Sequence, residues 1–503
     1  MVASLPGPSR SPKPTFFSLC PDPPMDGKLF WDYREDYEKF STIILAPGRS
    51  LPSDDDRRVS VNTDRSIFRK YGRALLAGER AGFISPVGFF AMHLFQGTAW
   101  ILLILFALRK GAVGSPLFFA MLHAFGLGFL TLAALSVLVH VLPAAAGLPV
   151  GESLRDRGAI GGVLVGALFF VGGWIIPNLR VALAGGGIVL LTGGYFLLRV
   201  LREIGDGRGR TRPRGARLDL MTAVALSFFV AGTLLGIFML LTLLHPGVGL
   251  SLTLAPPAHA LMMIGGWLSL LVMSVFLRTS GPLLERSVMS EYSMKGWILV
   301  LCGILLALPG ILMPIPLLIP TAYALGVAGL FLYGRPAGRA IFNAHPSNPY
   351  PIWFLRSSLA WVIVGGALLF ASLGSFPLPL PGLLMIFLLG GVGQFFLAHL
   401  YHLGPRLLAI LRNGPNDLTP PVALLDKRRS VPTFLLYQAG IALVILSFLP
   451  EGRHFEGLRL AGALLGFLGW LSLSREIRSA WIITGRLPKT ENQILLPVTR
   501  KKS

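Results

Sequence analysis

The sequence predicts an all-α polytopic membrane protein, with about twelve transmembrane helices and both termini in the cytoplasm. Three observations predict it. Apolar residues make up 53% of the 503 and charged residues only 14%, against about 25% charged in ordinary globular chains. Apolar runs of about 18 to 27 residues recur from residue 86 onward, each long enough to cross a hydrocarbon core of roughly 30 Å. Lys and Arg collect in alternate loops between the runs, the pattern of the positive-inside rule. A soluble domain this apolar could not cover its own surface, so the lipid bilayer is the first expected partner.

The formal charge of +21 raises nucleic-acid binding as a competing class. The basic residues lie in short loops between apolar runs, which assigns them to membrane orientation, and no nucleic-acid partner is expected. Cys20 and Cys302 are the only cysteines and neither has a partner at ligand spacing. A disulfide framework, a Cys-bound zinc site and an iron–sulfur cluster are excluded on that count.

Residues 1–85 form a polar cytoplasmic region holding 11 of the 24 acidic residues. The first 25 are rich in Pro and Ser, which predicts disorder. The run from Trp31 to Glu38 is read as a solvated tail or as a short amphipathic segment within 26–85 that docks a partner. No apolar core of signal-peptide length follows a basic start, so no cleavable leader is expected, and Met25 offers a second start codon. The membrane domain spans 86–485. Its helices are expected near 86–108, 116–142, 159–177, 181–199, 219–243, 257–277, 296–313, 315–334, 357–375, 381–404, 432–449 and 457–474. Residues 486–503 form a basic cytoplasmic tail.

Orientation follows from charge. Arg57, Arg58, Arg65, Arg69, Lys70 and Arg73 precede the first span, and Arg199, Arg202, Arg208, Arg210, Arg212, Arg214 and Arg217 follow the fourth. Lys427, Arg428 and Arg429 follow the tenth, and Arg500, Lys501 and Lys502 end the chain. The opposite loops around 244–256 and 375–381 carry no Lys or Arg. The chain is thus read as multi-pass in the cytoplasmic (inner) membrane, N-in and C-in.

No Asp or Glu is expected well inside a span, which argues against an ion-coupled transporter. Histidine is the polar residue that enters: His93, His123, His140, His259, His399 and His402. A lone intramembrane His is as often a hydrogen-bonded packing residue as a ligand. Six of them without carboxylates point to metal or haem chemistry. His123 and His259 fall near the outer ends of the second and sixth spans. His399 and His402 are three apart on one helical face and are candidate metal ligands; the alternative for His140 and His402 is anchoring a helix end at the interface. Trp174, Trp297 and Trp353 are expected in an interfacial belt. The small-residue stretch from Gly161 to Gly173 is expected to serve close helix packing.

The second, sixth and tenth spans repeat one another. The second reads LHAFGLGFLTLAALSVLVHVLPAAAG over 122–147, and the sixth AHALMMIGGWLSLLVMSVFLRTSGPLLE over 258–285. The tenth reads GLLMIFLLGGVGQFFLAHLYHLGPRLLA over 382–409. Two open on His-Ala, and two close on His-x-x-Pro. Copies four spans apart predict a pseudo-threefold arrangement of three four-helix units.

On these residues the chain resembles the haem–copper oxidase subunit I superfamily. The resemblance implies a twelve-helix ring, with His123 as an axial ligand of haem b and His259 as a ligand of haem or of copper. It also implies respiratory subunits as partners, docked through 26–85. The His-His pair of the seventh helix is missing from 296–313, and Pro379-Leu380-Pro381-Gly382 replaces the His-x-His of the tenth. A complete oxygen-reducing site is therefore not expected. Leu122-His123-Ala124, His259-Ala260-Leu261 and the stretch from Val272 to Gly281 are also similar to the NnrS family of haem proteins of nitric oxide metabolism. The expected function is a membrane haem protein in electron transfer or nitric oxide chemistry, its reaction unspecified. The alternatives are a non-catalytic subunit or assembly factor of a respiratory complex, and a cofactor-free transporter of a neutral or anionic solute.

Overall fold

The computed structural model describes residues 84–145, 154–205, 213–248, 250–284, 290–313, 315, 317–346, 348–372, 380–413, 421–449 and 455–484. The expected cytoplasmic region up to residue 83 and the basic tail lie outside them. Among the described residues the fold is all-helical, without strands. Twelve rods follow one another, called α1 to α12. α1 is Ile84–Leu108, and α2 joins Pro116–His123, Ala124–Thr131 and Leu132–Ala145. α3 is Leu154–Ile175, α4 Leu179–Gly205 and α5 Pro213–Leu244. α6 joins Ala255–Ala260, Leu261–Ser269 and Leu270–Leu284. α7 is Glu291–Leu312, α8 Leu318–Phe342 and α9 Tyr350–Ser372. α10 joins Leu380–Met385, Ile386–Gly393 and Gln394–Asn413, followed by α11, Lys427–Phe448, and α12, Glu456–Thr484.

Capping residues set several of the starts. Ser115 accepts from the backbone N–H of Phe118, with Pro116 in the first turn where its missing N–H costs nothing. Ser290 and Asp426 cap α7 and α11 in the same way. Eleven described rods are long and apolar enough to cross a membrane. In α8 the apolar stretch is cut short by Arg335, Pro336 and Arg339. Large apolar side chains such as Leu191, Phe331 and Ile363 point outward and exposed, which in water would be an aggregation hazard and in lipid is the expected surface.

The repeat is built into the packing. The central stretches of α2, α6 and α10 (Ala124–Thr131, Leu261–Ser269 and Ile386–Gly393) are all π-helical. In each unit the first rod drives an aromatic side chain against a glycine of that stretch: Phe95 on Gly128, Phe228 on Gly266 and Trp361 on Gly390. A Cβ at any of the three would collide with the ring, so glycine is what admits the aromatic. The third and fourth rods of each unit then pair backbone to backbone through small residues. Gly166 meets Gly185, Gly303 meets Ala322 and Gly326, and Gly440 meets Gly462 and Gly466, as small-residue interfaces in membranes do. Gly162 and Gly173, within the stretch read for packing, face Thr192 and Ala182 of α4.

The three π-bearing rods meet at the centre. Trp267 Nε1 of α6 donates to Thr131 Oγ1 of α2 at 3.1 Å. Phe276 of α6 faces Phe395 of α10 with ring centres 5.8 Å apart. Contacts keep the same order along each pair, so these rods run parallel. α12 closes on α1, where Trp470 packs on Gly97 and its Nε1 donates to His93 O at 2.9 Å.

Three sequence expectations are corrected. α12 continues ten residues beyond 474, because Leu473, Glu476, Ala480 and Thr484 stay on its buried face while the exposed Arg475 and Arg478 face out. Glu476 is thereby 2% exposed, and Asp156 in the first turn of α3 is 1% exposed beside Arg199 and Tyr195. Carboxylates do enter the bundle. Trp174 and Trp297 are buried rather than interfacial; the indole of Trp297 turns inward and donates to Leu270 O at 3.2 Å, satisfying its one polar atom inside the bundle.

Candidate functional site

His123 and His259 stand 136 residues apart in sequence, and the parallel packing of α2 and α6 brings their ring centres to 6.3 Å. Each lies within the first two or three turns of its rod and just ahead of a π-helical stretch. A π turn inserts an extra residue, which rotates the preceding turn relative to the rest of the helix, and such turns recur at functional sites. Here the rotation belongs to both helices that carry a His of the pair.

Hydrogen bonds orient both rings. His123 Nδ1 donates to Phe119 O at 2.8 Å, one turn back on its own helix. His259 Nδ1 donates to Gly232 O of α5 at 2.9 Å. Using Nδ1–H in this way fixes the tautomer that leaves Nε2 as a lone-pair donor, the usual outer-shell arrangement for a metal-bound imidazole. Two imidazoles sharing one ion through Nε2 at about 2 Å have ring centres roughly 6 Å apart, and the observed spacing fits that arrangement. Phe170 of α3 lies against His123 at 4.6 Å between ring centres. Gly236 of α5 lies under His259, where a Cβ would stand 3.0 Å from Cε1.

The other histidines are placed differently. Both ring nitrogens of His399 are engaged: Nδ1 with Phe395 O at 3.0 Å and Nε2 with Thr279 Oγ1 at 2.9 Å. His402 is partly buried on the same helix. His93 Nε2 bonds to Ser474 Oγ at 2.7 Å, tying α1 to α12. His140 lies in α2, with its side chain outside the described residues. Among the described residues, no group of three or more His, Cys, Asp or Glu comes together. His123, expected as a haem ligand, and His259, expected as a ligand of haem or of copper, lie side by side.

Phe119, Phe170, Gly232 and Gly236 were not singled out by the sequence. Gly232-Thr233-Leu234-Leu235-Gly236 is a small-residue spacing that lets a neighbouring helix come close, and this signal marks the place where α6 and its histidine dock. The aromatic contacts leave no comparable trace, because Phe is common throughout the chain, at 33 residues.

No protein-family model and no curated protein matches the chain.

Proposed function

We propose that the chain is a multi-pass haem protein of the cytoplasmic membrane, with twelve spans, N-in and C-in, serving electron transfer or nitric oxide-related chemistry. His123 and His259 are the axial ligands of one b-type haem near the outer face. The observation that carries this is the pair itself: two imidazoles at 6.3 Å, each with Nδ1 bonded to a backbone carbonyl. Two protein ligands are few for a bare zinc or copper(II) ion, which takes three or four. They suffice for an iron that brings four porphyrin nitrogens of its own.

Bound haem would supply one-electron chemistry. The protein's part is to hold both Nε2 lone pairs in place, by fixing the Nδ1–H of each ring on Phe119 O and Gly232 O. The apolar ring of Phe170 limits water beside His123. His399 and His93, with their nitrogens turned to Thr279 and Ser474, serve helix packing in this account.

A second reading is a copper ion held by the same pair. The Phe170 ring against His123 narrows that side of the site, which favours a bare ion over a macrocycle. One preparation separates the two. The protein is purified from cells replete in haem and copper, and its visible spectrum and metal content are measured. A Soret band that is lost in His123→Ala supports haem. Stoichiometric copper without a Soret band supports the second reading. A colourless, metal-free protein would leave the subunit and transporter alternatives standing and refute both.

A further inference from the structure

At the far end of the molecule from the histidine pair lies a buried carboxylate that the proposed function does not use. Glu476 of α12 is 2% exposed. Its Oε1 accepts from Tyr401 Oη of α10 at 2.9 Å and from Thr433 Oγ1 of α11 at 2.5 Å. Its Oε2 accepts from Ser430 Oγ of α11 at 2.5 Å. Tyr401, Ser430 and Thr433 are themselves buried. An ionised carboxylate held away from water needs a counter-charge or a full set of donors.

Among the described residues, the groups around it supply donors and no cation. From α9 it feels Tyr350, from α10 Tyr401, and from α11 Tyr437 and the capping Asp426. Arg429 turns aside to Ser479 and Asp426. Arg475 and Arg478 of its own helix are exposed on the opposite face. From α1, His93 bonds to Ser474. Three neutral hydroxyls therefore share the carboxylate, and the only neighbouring carboxylate adds like charge.

The hydroxyls also form a line. Asp426 caps α11 with its side chain 44% exposed, and the Ser430 hydroxyl in the next turn can give its one proton to the backbone carbonyl of Asp426 or to Glu476. Beyond Glu476, Thr433 Oγ1 bonds Ser472 Oγ at 2.6 Å. One turn deeper, Tyr437 and Gln96 add further buried polar groups. Hydroxyls thus reach from the first turn of α11 to the buried carboxylate and on to Ser472.

We propose that Glu476 is an exchangeable proton-binding site, loaded past Ser430 from the first turn of α11, which bears Lys427, Arg428 and Arg429. The carboxylate takes a proton from hydronium and leaves water; Thr433 and Ser472 lead inward from it. This holds whether or not His123 and His259 bind a cofactor.

Infrared difference spectra of the full-length protein in nanodiscs, between acid and alkaline buffer, test it. The expected result is a carboxylic-acid C=O band at the high frequency of a buried acid, shifting in D2O and lost in Glu476→Gln. Thr433→Val and Ser430→Ala, each removing one donor, move that band without abolishing it, and serve if Glu476→Gln does not fold. No pH-dependent band, or one that persists in Glu476→Gln, overturns the proposal. Displacement of the band by sodium at constant pH also overturns it, by showing a metal-cation site instead.

Discussion

Each imidazole of the candidate site has one nitrogen committed and one left over, and the commitments differ. His123 is fixed by its own helix through Phe119 O, whereas His259 depends on α5 through Gly232 O. His259 is therefore the more sensitive to changes outside its own helix. Gly236→Val places branched carbons where even a single Cβ would stand 3.0 Å from the ring. The ring must move, and the bond to Gly232 O goes with it. We expect Gly236→Val to weaken cofactor retention about 10- to 100-fold, the usual effect of losing an outer-shell partner. Haem or copper content per protein after dialysis measures it; unchanged content would show that the ring's seat is immaterial. At this scale the sequence was legible for the two histidines, because imidazole stands out against the apolar residues around it in each span. It was silent on Phe119 and Gly232, which act through backbone carbonyls that every residue carries.

At the scale of the helix, the π-helical stretches and their glycines decide how closely the units pack. Gly126 and Gly128 lie in the same stretch of α2, yet a Cβ at Gly126 meets nothing within 4 Å while one at Gly128 runs into Phe95. Gly128→Val should cost about 1 to 3 kcal/mol through overpacking, and Gly126→Ala close to nothing. Thermal unfolding followed by fluorescence in detergent compares them, and equal effects would refute the knob-and-glycine account. Sequence periodicity placed the starts of these rods to within two residues, but α6 and α10 run seven and nine residues past their expected ends. It could not give the π turns, since an extra residue in a turn changes no composition. It also stopped α12 at 474, because Arg475, Glu476 and Arg478 lower the average hydropathy while the buried face runs on to Thr484. A window average cannot tell which side of a helix a charge is on.

At the scale of the whole molecule, the threefold repeat was legible because its copies share glycine and histidine positions four spans apart. The structure adds what the copies do: three aromatic-on-glycine contacts and three small-residue helix pairs, once per unit. In the proposed N-in topology, read from loop charge, His245 and the start of α6 lie outside and Arg428 inside. With Cys20 and Cys302 replaced by Ser, we expect His245→Cys to react with an impermeant thiol reagent in intact cells. Arg428→Cys should react only after the membrane is opened. The reverse pattern would invert the topology and move the histidine pair to the inner face.

The account's central claim is that His123 and His259 bind the same iron. Electron paramagnetic resonance of the oxidised protein tests that most directly, because two axial imidazoles make ferric haem low-spin. The account predicts a low-spin signal in the wild type that is lost in both His123→Ala and His259→Ala. A low-spin signal that survives either substitution, or a protein with no haem signal at all, would contradict it.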